Sequence, residues 1–213
     1  MPSQSQIFLD GEGDQWYLRN RAAIEVQSFD AQDVEFIFQT LKGTTFNIKN
    51  ILEIGCSSAT KLKLLSSGFM ANGAGIDPSI LAIERARNLY PEFDFHVGLA
   101  SNLPFQANKF DLILFGFCLY LVPPEEIELT LMEALRVLRP KSLIAITDFD
   151  AGIEMTQIYK HADGVKAYKR DYAQHLGRLC NLSLIAKKSF CHQGNWFVTD
   201  RNERISTQVF FVE

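Results

Sequence analysis

The chain has 213 residues, 47% of them hydrophobic and 22% charged, with 17 Phe to fill a core; that composition excludes a disordered chain and fits one α/β domain with appendages. A formal net charge of −4, with Lys and Arg scattered apart from short groups such as Arg136, Arg139 and Lys141, argues against a polyanion-binding surface, so no nucleic-acid partner is expected. The 4 Cys show no C-x-x-C spacing; they read as buried free thiols in a reducing compartment, and no metal site is indicated.

In chain order, residues 1–28 are polar with interspersed aromatics, and Gly11-Glu12-Gly13-Asp14 reads as a turn before Trp16-Tyr17. This stretch is expected to be an arm or lid. The opening Met-Pro-Ser-Gln-Ser-Gln lacks a basic region followed by an apolar run, and no segment reaches membrane-span length, Leu112 to Val122 coming nearest. A cytoplasmic protein without a membrane partner is therefore expected. Asp30 is placed to cap a helix running to Leu41, with Val34, Ile37, Phe38 and Leu41 at helical spacing and Gly43 just past the end.

From Lys49 the pattern alternates between strand and helix. Ile51–Ile54 is a short apolar strand, Ala59–Leu65 a helix and Gly73–Ile76 a second strand. A helix from Pro78 to Tyr90 follows, then strands at Phe93–Val97 and Phe110–Phe117, the latter near-continuously apolar as a strand buried on both faces must be. Pro123-Pro124-Glu125-Glu126 opens a helix ending at Leu138 before Pro140, and a fifth strand spans Leu143–Thr147. This rhythm predicts βαβ units and a doubly wound, mostly parallel α/β sheet. After Asp150 a polar helical segment is expected over Gly164–Leu179. Leu182–Phe190 and Ile205–Val212 then read as an antiparallel pair at one sheet edge.

Open α/β sheets bind ligands beyond the carboxyl ends of their strands, so the residues following each strand carry the functional reading. The first strand runs into Glu53-Ile54-Gly55-Cys56-Ser57-Ser58-Ala59, where Gly55, Ser57 and Ala59 are small enough for a loop to approach a ligand at a helix N-terminus. The second ends in Gly75-Ile76-Asp77-Pro78, which places Asp77 22 residues after Gly55, against ~20 for an acid that binds a ribose diol. Either signal alone has an ordinary structural explanation, a packing turn or a helix cap; the pair is more specific.

The third strand ends in Gly98-Leu99-Ala100-Ser101-Asn102-Leu103-Pro104-Phe105, and Phe110-Asp111-Leu112-Ile113-Leu114 and Glu133-Ala134-Leu135-Arg136-Val137-Leu138-Arg139-Pro140 follow. With the two earlier motifs, residues 49–148 resemble the class I S-adenosylmethionine (SAM)-dependent methyltransferases, most closely the bacterial small-molecule group. The resemblance implies a single domain over 1–213 with a seven-stranded Rossmann-like sheet, a cofactor-binding core at 49–148 and an acceptor side at 149–213. It further implies that Glu53 and Gly55 border the methionine end of SAM, with Cys56 and Ser57 in the same loop. Asp77 would bind the ribose hydroxyls, Ile76 and Pro78 would flank the sugar or base, Ala100 and Ser101 would lie along the adenine edge, and Phe117 would sit near the transferring methyl. Asp111, at the opposite end of the sheet, is expected to be structural. The family usually has Gly where this chain has Ser57 and Ala59, and Asp where it has Leu99.

The segment after the fourth strand, Phe115-Gly116-Phe117-Cys118-Leu119-Tyr120, lacks the Asn/Asp-Pro-Pro-Tyr that serves methylation of exocyclic base nitrogens, and Cys118 lacks the preceding Pro of a pyrimidine-attacking thiolate. A small, polar, sugar-like acceptor suits the aromatic and charged residues of the arm and of Tyr168-Lys169-Arg170-Asp171-Tyr172. Candidates for a general base are Asp148, His161 and Tyr159, then His192, with Asp14 and Arg19 of the arm also considered; spacing marks none as a dyad. A homodimer is compatible with the sequence. Two rival readings stand beside methyl transfer: SAM binding without transfer, and a nucleotide-dependent dehydrogenase.

Overall fold

The computed structural model describes residues 2–25, 32–194 and 196–213; Asp30 and its expected cap lie outside them. Seven strands form one sheet in the order β3-β2-β1-β4-β5-β9-β8. They are β1 (Asn50–Ile54), β2 (Asn72–Asp77), β3 (Asp94–Val97), β4 (Phe110–Gly116), β5 (Leu138–Phe149), β8 (Leu182–Cys191) and β9 (Arg204–Val212). The first five are mutually parallel, whereas β9 runs antiparallel to both β5 and β8. This is the doubly wound sheet with an antiparallel edge that the sequence rhythm predicts.

The two-residue strand period explains how the sheet holds its helices. Along β1, β4 and β5, Leu52, Ile54, Ile113, Phe115, Ile144 and Ile146 face one way, against Ile127, Leu131 and Ala134 of α6 (Pro124–Val137) and Leu176 of α7 (Tyr172–Gly177). Ile51, Leu112, Leu114, Leu143 and Ala145 face the other way, against α3 (Gln32–Leu41), α4 (Thr60–Phe69) and α5 (Ile80–Leu89). Asp111 has the structural role expected of it. It accepts hydrogen bonds from the backbone N–H groups of Lys49 (2.9 Å) and Asn50 (2.8 Å) and pairs with Arg139 at 2.6 Å.

Three local expectations are corrected. Gly11–Asp14 is not a turn: α1 (Gln4–Ile7) runs through a π-helical turn at Phe8–Glu12, broken only at Gly11 (φ 147°), into α2 (Gly13–Glu25). Gly13 is there for close packing, because a Cβ on it would stand 3.0 Å from the Ser79 nitrogen. Gly164–Leu179 is not one helix; β7 (Lys166–Lys169) pairs antiparallel with β6 (Met155–Ile158), and only α7 is helical. Its period-two burial is masked in the sequence because Lys169 is buried: its Nζ lies 3.9 Å from the Phe149 ring centroid and donates to the Asn202 carbonyl at 2.6 Å. Finally, β5 begins before Leu143, since Pro140 lies in the exposed first residues of the strand, where a missing N–H costs little.

Candidate cofactor site

A cleft with about 830 Å³ of empty space, partly continuous with solvent, opens at the carboxyl ends of β1, β2 and β4. Ile54 and Gly55 from β1 and its turn, Ile76, Asp77 and Pro78 from the end of β2, and Gly116, Phe117 and Cys118 after β4 form its floor. Gly98 to Ser101 close one side, Glu126 and Thr130 of α6 another, and Ser5, Phe8, Gly13 and Trp16 of the N-terminal arm cover it.

The turn after β1 is held by two donations to one carbonyl: Gly55 N (2.9 Å) and Cys56 N (3.1 Å) both bond Ile76 O. Gly55 has φ +74°, and a Cβ there would fall 2.5 Å from the Cys118 Cβ, so conformation and space both require glycine. Ser57 (φ 48°) and Ala59 (φ 64°) also occupy the left-handed region, a conformation that costs a non-glycine residue on the order of 1 kcal/mol. Ala59→Gly is accordingly expected to leave stability within about 1 kcal/mol of the wild type, because relief of that strain is offset by the added freedom of the unfolded chain and by the loss of a fully buried methyl; chemical denaturation measures this, and a loss of more than about 2 kcal/mol would contradict it.

Asp77 stands at the cleft with each carboxylate oxygen used once: Oδ2 accepts from Ser57 N (2.8 Å) and Oδ1 from Ser79 N (2.9 Å). A lone pair remains on each oxygen for a ligand. Burial pushes its carboxyl up to about 6, although both backbone donors pull the other way. Behind the loop, Glu53 is 2% exposed and accepts from Leu62 N at 3.0 Å, with burial pushing its carboxyl up to about 8. Of the residues expected at a cofactor, Gly55, Asp77, Pro78, Ala100, Ser101 and Phe117 line the cleft together. Glu53, Cys56 and Ser57 do not line it. Glu53 and Ser57 brace the loop through the bonds just given, and buried Cys56 fills the space beside Gly75, where a Cβ would meet its Sγ at 2.7 Å.

The arm is anchored at several points. Gln4 Nε2 donates to Leu121 O (2.7 Å) and Lys166 O (2.9 Å), while Lys166 N donates back to Gln4 Oε1 (2.9 Å). Asp14 Oδ1 accepts from Ser79 Oγ (2.7 Å) and Leu81 N (3.0 Å), which ties α2 to the start of α5. Trp16 bonds the hydroxyl of Tyr120. Sequence reasoning assigned the arm a covering role but missed Ser5, Phe8, Glu126 and Thr130 as lining groups. The i, i+4 spacing of Glu126 and Thr130 on α6 was the signal available.

Phe117 (φ 76°) packs against Tyr120, Phe149 and His192, with ring centroids 5.3, 5.1 and 5.5 Å away. Asp148 lies under this cluster rather than in the cleft lining. It is 2% exposed and accepts from Phe149 N (2.8 Å) and Tyr120 N (3.3 Å), and burial pushes it up to about 7. Tyr159 lies against the arm, donating to Glu12 at 3.0 Å and accepting from Arg19 at 2.9 Å, with burial pushing its hydroxyl up to about 12. Exposed His161 packs edge-on against Tyr159 at 5.3 Å. The four cysteines are free, and among the described residues no His, Cys, Asp or Glu group of three or more is placed to hold a metal.

Three buried carboxyls raised to about 6 (Asp77), 7 (Asp148) and 8 (Glu53) set a pH dependence. Each holds a proton in the folded chain at pH values where the unfolded chain, titrating near ~4, has released it. Their stabilising contribution is complete below that value and is lost as pH rises through 6 to 8. The ligand-free protein is expected to melt at a lower temperature at pH 8 than at pH 5.5; a higher melting temperature at pH 8 would contradict these assignments.

A doubly wound sheet with a tight glycine turn after its first strand and a cleft-facing acid ending its second defines an α/β domain built for a nucleoside-containing ligand. Residues 51–141, somewhat less than half of the chain, match the family model described as a methyltransferase domain. A Synechocystis sp. protein described as an uncharacterized methyltransferase is 30% identical over 101 residues, which is 47% of this chain and 47% of that protein. The chain thus matches about half the length of that curated relative. Among solved structures, a TehB-like SAM-dependent methyltransferase from Corynebacterium glutamicum shares the fold at TM-score 0.65 and 19% identity, over 96% of this chain and 100% of that one. A SAM-dependent methyltransferase from Methanosarcina mazei does so at TM-score 0.60 and 20% identity, over 83% and 96%. Among the described residues no helix is long and apolar enough to cross a membrane.

Proposed function

We propose that the chain transfers a methyl group from SAM to a small, polar, sugar-like acceptor. The observation that carries the reading is Asp77, which faces the cleft with a lone pair left on each oxygen beside the left-handed Gly55 turn. The lining fits the cofactor: an acid for the ribose diol, a turn without side-chain bulk for the methionine portion, and an unpartnered hydroxyl on Thr130.

When bound, SAM supplies a methyl group already activated by its positive sulfur. The chain's own work is then alignment and exclusion of water. Asp77 holds the sugar, Gly55 leaves room, the arm covers the cleft, and Phe117 forms the wall toward the acceptor; alignment of this kind is worth about 7–11 kcal/mol of barrier at best. On the far side of Phe117 stand Tyr120, Phe149 and His192, and the arm contributes Glu12 and Arg19 beside Tyr159. Rings and charges together suit the faces and hydroxyls of a sugar-like molecule. Burial lowers the pKa of His192, which keeps its imidazole neutral and able to take a proton from a hydroxyl acceptor. Its readiness to do so, and its packing against Phe117, favour it over Asp148, which already serves two backbone donors.

Incubation with methyl-labelled SAM and a fractionated metabolite extract tests the reading. Label is expected in a small polar fraction and absent from protein and nucleic acid. Saturable SAM binding with no label in any fraction would overturn transfer and leave a SAM-binding protein.

A further inference from the structure

The base end of the proposed nucleoside site is built unusually. An adenine edge offers one exocyclic amino donor and ring-nitrogen acceptors, so it needs an acceptor and a donor from the protein. On the turn after β3, Leu99 and Ala100 bring no polar side chain, and the Ser101 hydroxyl donates to Glu126 at 3.3 Å. Across the cleft, α6 presents Glu126 and Thr130 one helical turn apart on the same face. Apart from Asp77, which belongs to the sugar end, Glu126 is the one carboxylate lining the cleft among the described residues.

Glu126 is oriented for a ligand. Its Oε2 accepts from Ser5 Oγ (2.7 Å) as well as from Ser101, so the arm and the β3 turn both hold the carboxylate, and no described residue bonds Oε1. Thr130 supplies an independent observation. It is 1% exposed, and its Oγ1 is buried without any hydrogen-bond partner although the residue lines the cleft. A buried hydroxyl is rarely left unpaired unless something else pairs it.

We propose that Glu126 accepts the adenine 6-amino group through Oε1 and that Thr130 Oγ1 pairs a ring nitrogen, so that α6, rather than the turn after β3, reads the base. This rests on the SAM reading above. It also gives the arm a role in recognition, because Ser5 helps fix the carboxylate that selects adenine.

The test compares calorimetric affinities of the full chain for S-adenosylhomocysteine and S-inosylhomocysteine, which replaces the 6-amino group with a 6-oxo group. The wild type is expected to prefer the adenine compound by at least about tenfold, the size of one hydrogen bond to a charged group. Glu126→Gln, whose amide can either accept or donate, is expected to reduce that preference to within about threefold. Thr130→Val keeps the side-chain shape; it is expected to weaken S-adenosylhomocysteine several-fold while leaving the melting temperature of the free protein unchanged or higher. A Glu126→Gln protein that keeps the wild-type preference overturns the assignment of Glu126. A Thr130→Val protein with lower melting temperature and unchanged affinity overturns that of Thr130. If the wild type binds neither compound, the SAM reading falls and takes this assignment with it.

Discussion

Asp77→Asn is expected to weaken SAM binding by about 10- to 150-fold, the range spanned by hydrogen bonds to a charged acceptor. The reason is local. The carboxylate keeps two backbone N–H groups in place and still has lone pairs for a sugar diol. Asparagine retains one acceptor oxygen and turns the other position into a donor facing an N–H or a hydroxyl. Its effect on stability should be smaller than that of alanine, which would strand both backbone donors in a buried site. Because burial holds the Asp77 carboxyl near 6, wild-type affinity should also rise as pH increases through that value, since the diol donates to the ionised form. Isothermal titration at pH 5 and pH 7.5, on wild type and variant, measures both effects. Equal affinities throughout would remove Asp77 from the site.

Gly55→Val is expected to be the most damaging single change in the cleft. The backbone there has φ +74°, and a Cβ would lie 2.5 Å from the Cys118 Cβ and 2.9 Å from its Sγ. Left-handed strain in a β-branched residue adds to the overlap, so a loss of about 3 kcal/mol or more of stability is anticipated, with no measurable SAM binding. Denaturant unfolding and calorimetry provide the readouts. Gly55→Ala should cost less, and part of its cost should return when Cys118→Gly removes the opposing Cβ. A Gly55→Val protein with wild-type stability would show that the turn is not confined as described.

Much of this architecture could be read in advance because its causes are local. The strands from β1 to β5 announce themselves by apolar runs such as Leu112–Phe115, and the start of α6 by Pro124; the helix expected from Pro78 begins instead at Ile80, where the Ser79 hydroxyl caps it through Ala82 N. Gly55 and Asp77 could be found because the left-handed turn and the proposed ribose contact each demand a particular residue type at a fixed separation along one βαβ unit. What escaped the sequence depends on contacts distant in the chain. Lys169 reads as a surface residue until Phe149 and the Asn202 carbonyl are placed around it. Gly13 reads as a turn residue until α2 is packed against Pro78 and Ser79. Glu126 looks like an ordinary first-turn acid of α6, and only the folded chain shows Ser5, 121 residues away, bonded to it. The proposed acceptor side is the least legible part, because Tyr159 meets Glu12 of the arm and His192 meets Phe117 through a hairpin and a loop rather than through the periodic core.

The most direct test of the central claim is a titration of the full wild-type chain with SAM and, separately, with NAD. A single saturable site for SAM in the micromolar range, with no heat from NAD, is the predicted result. Saturable NAD binding in the absence of any SAM binding would contradict the account and return the cleft to a dehydrogenase-type dinucleotide.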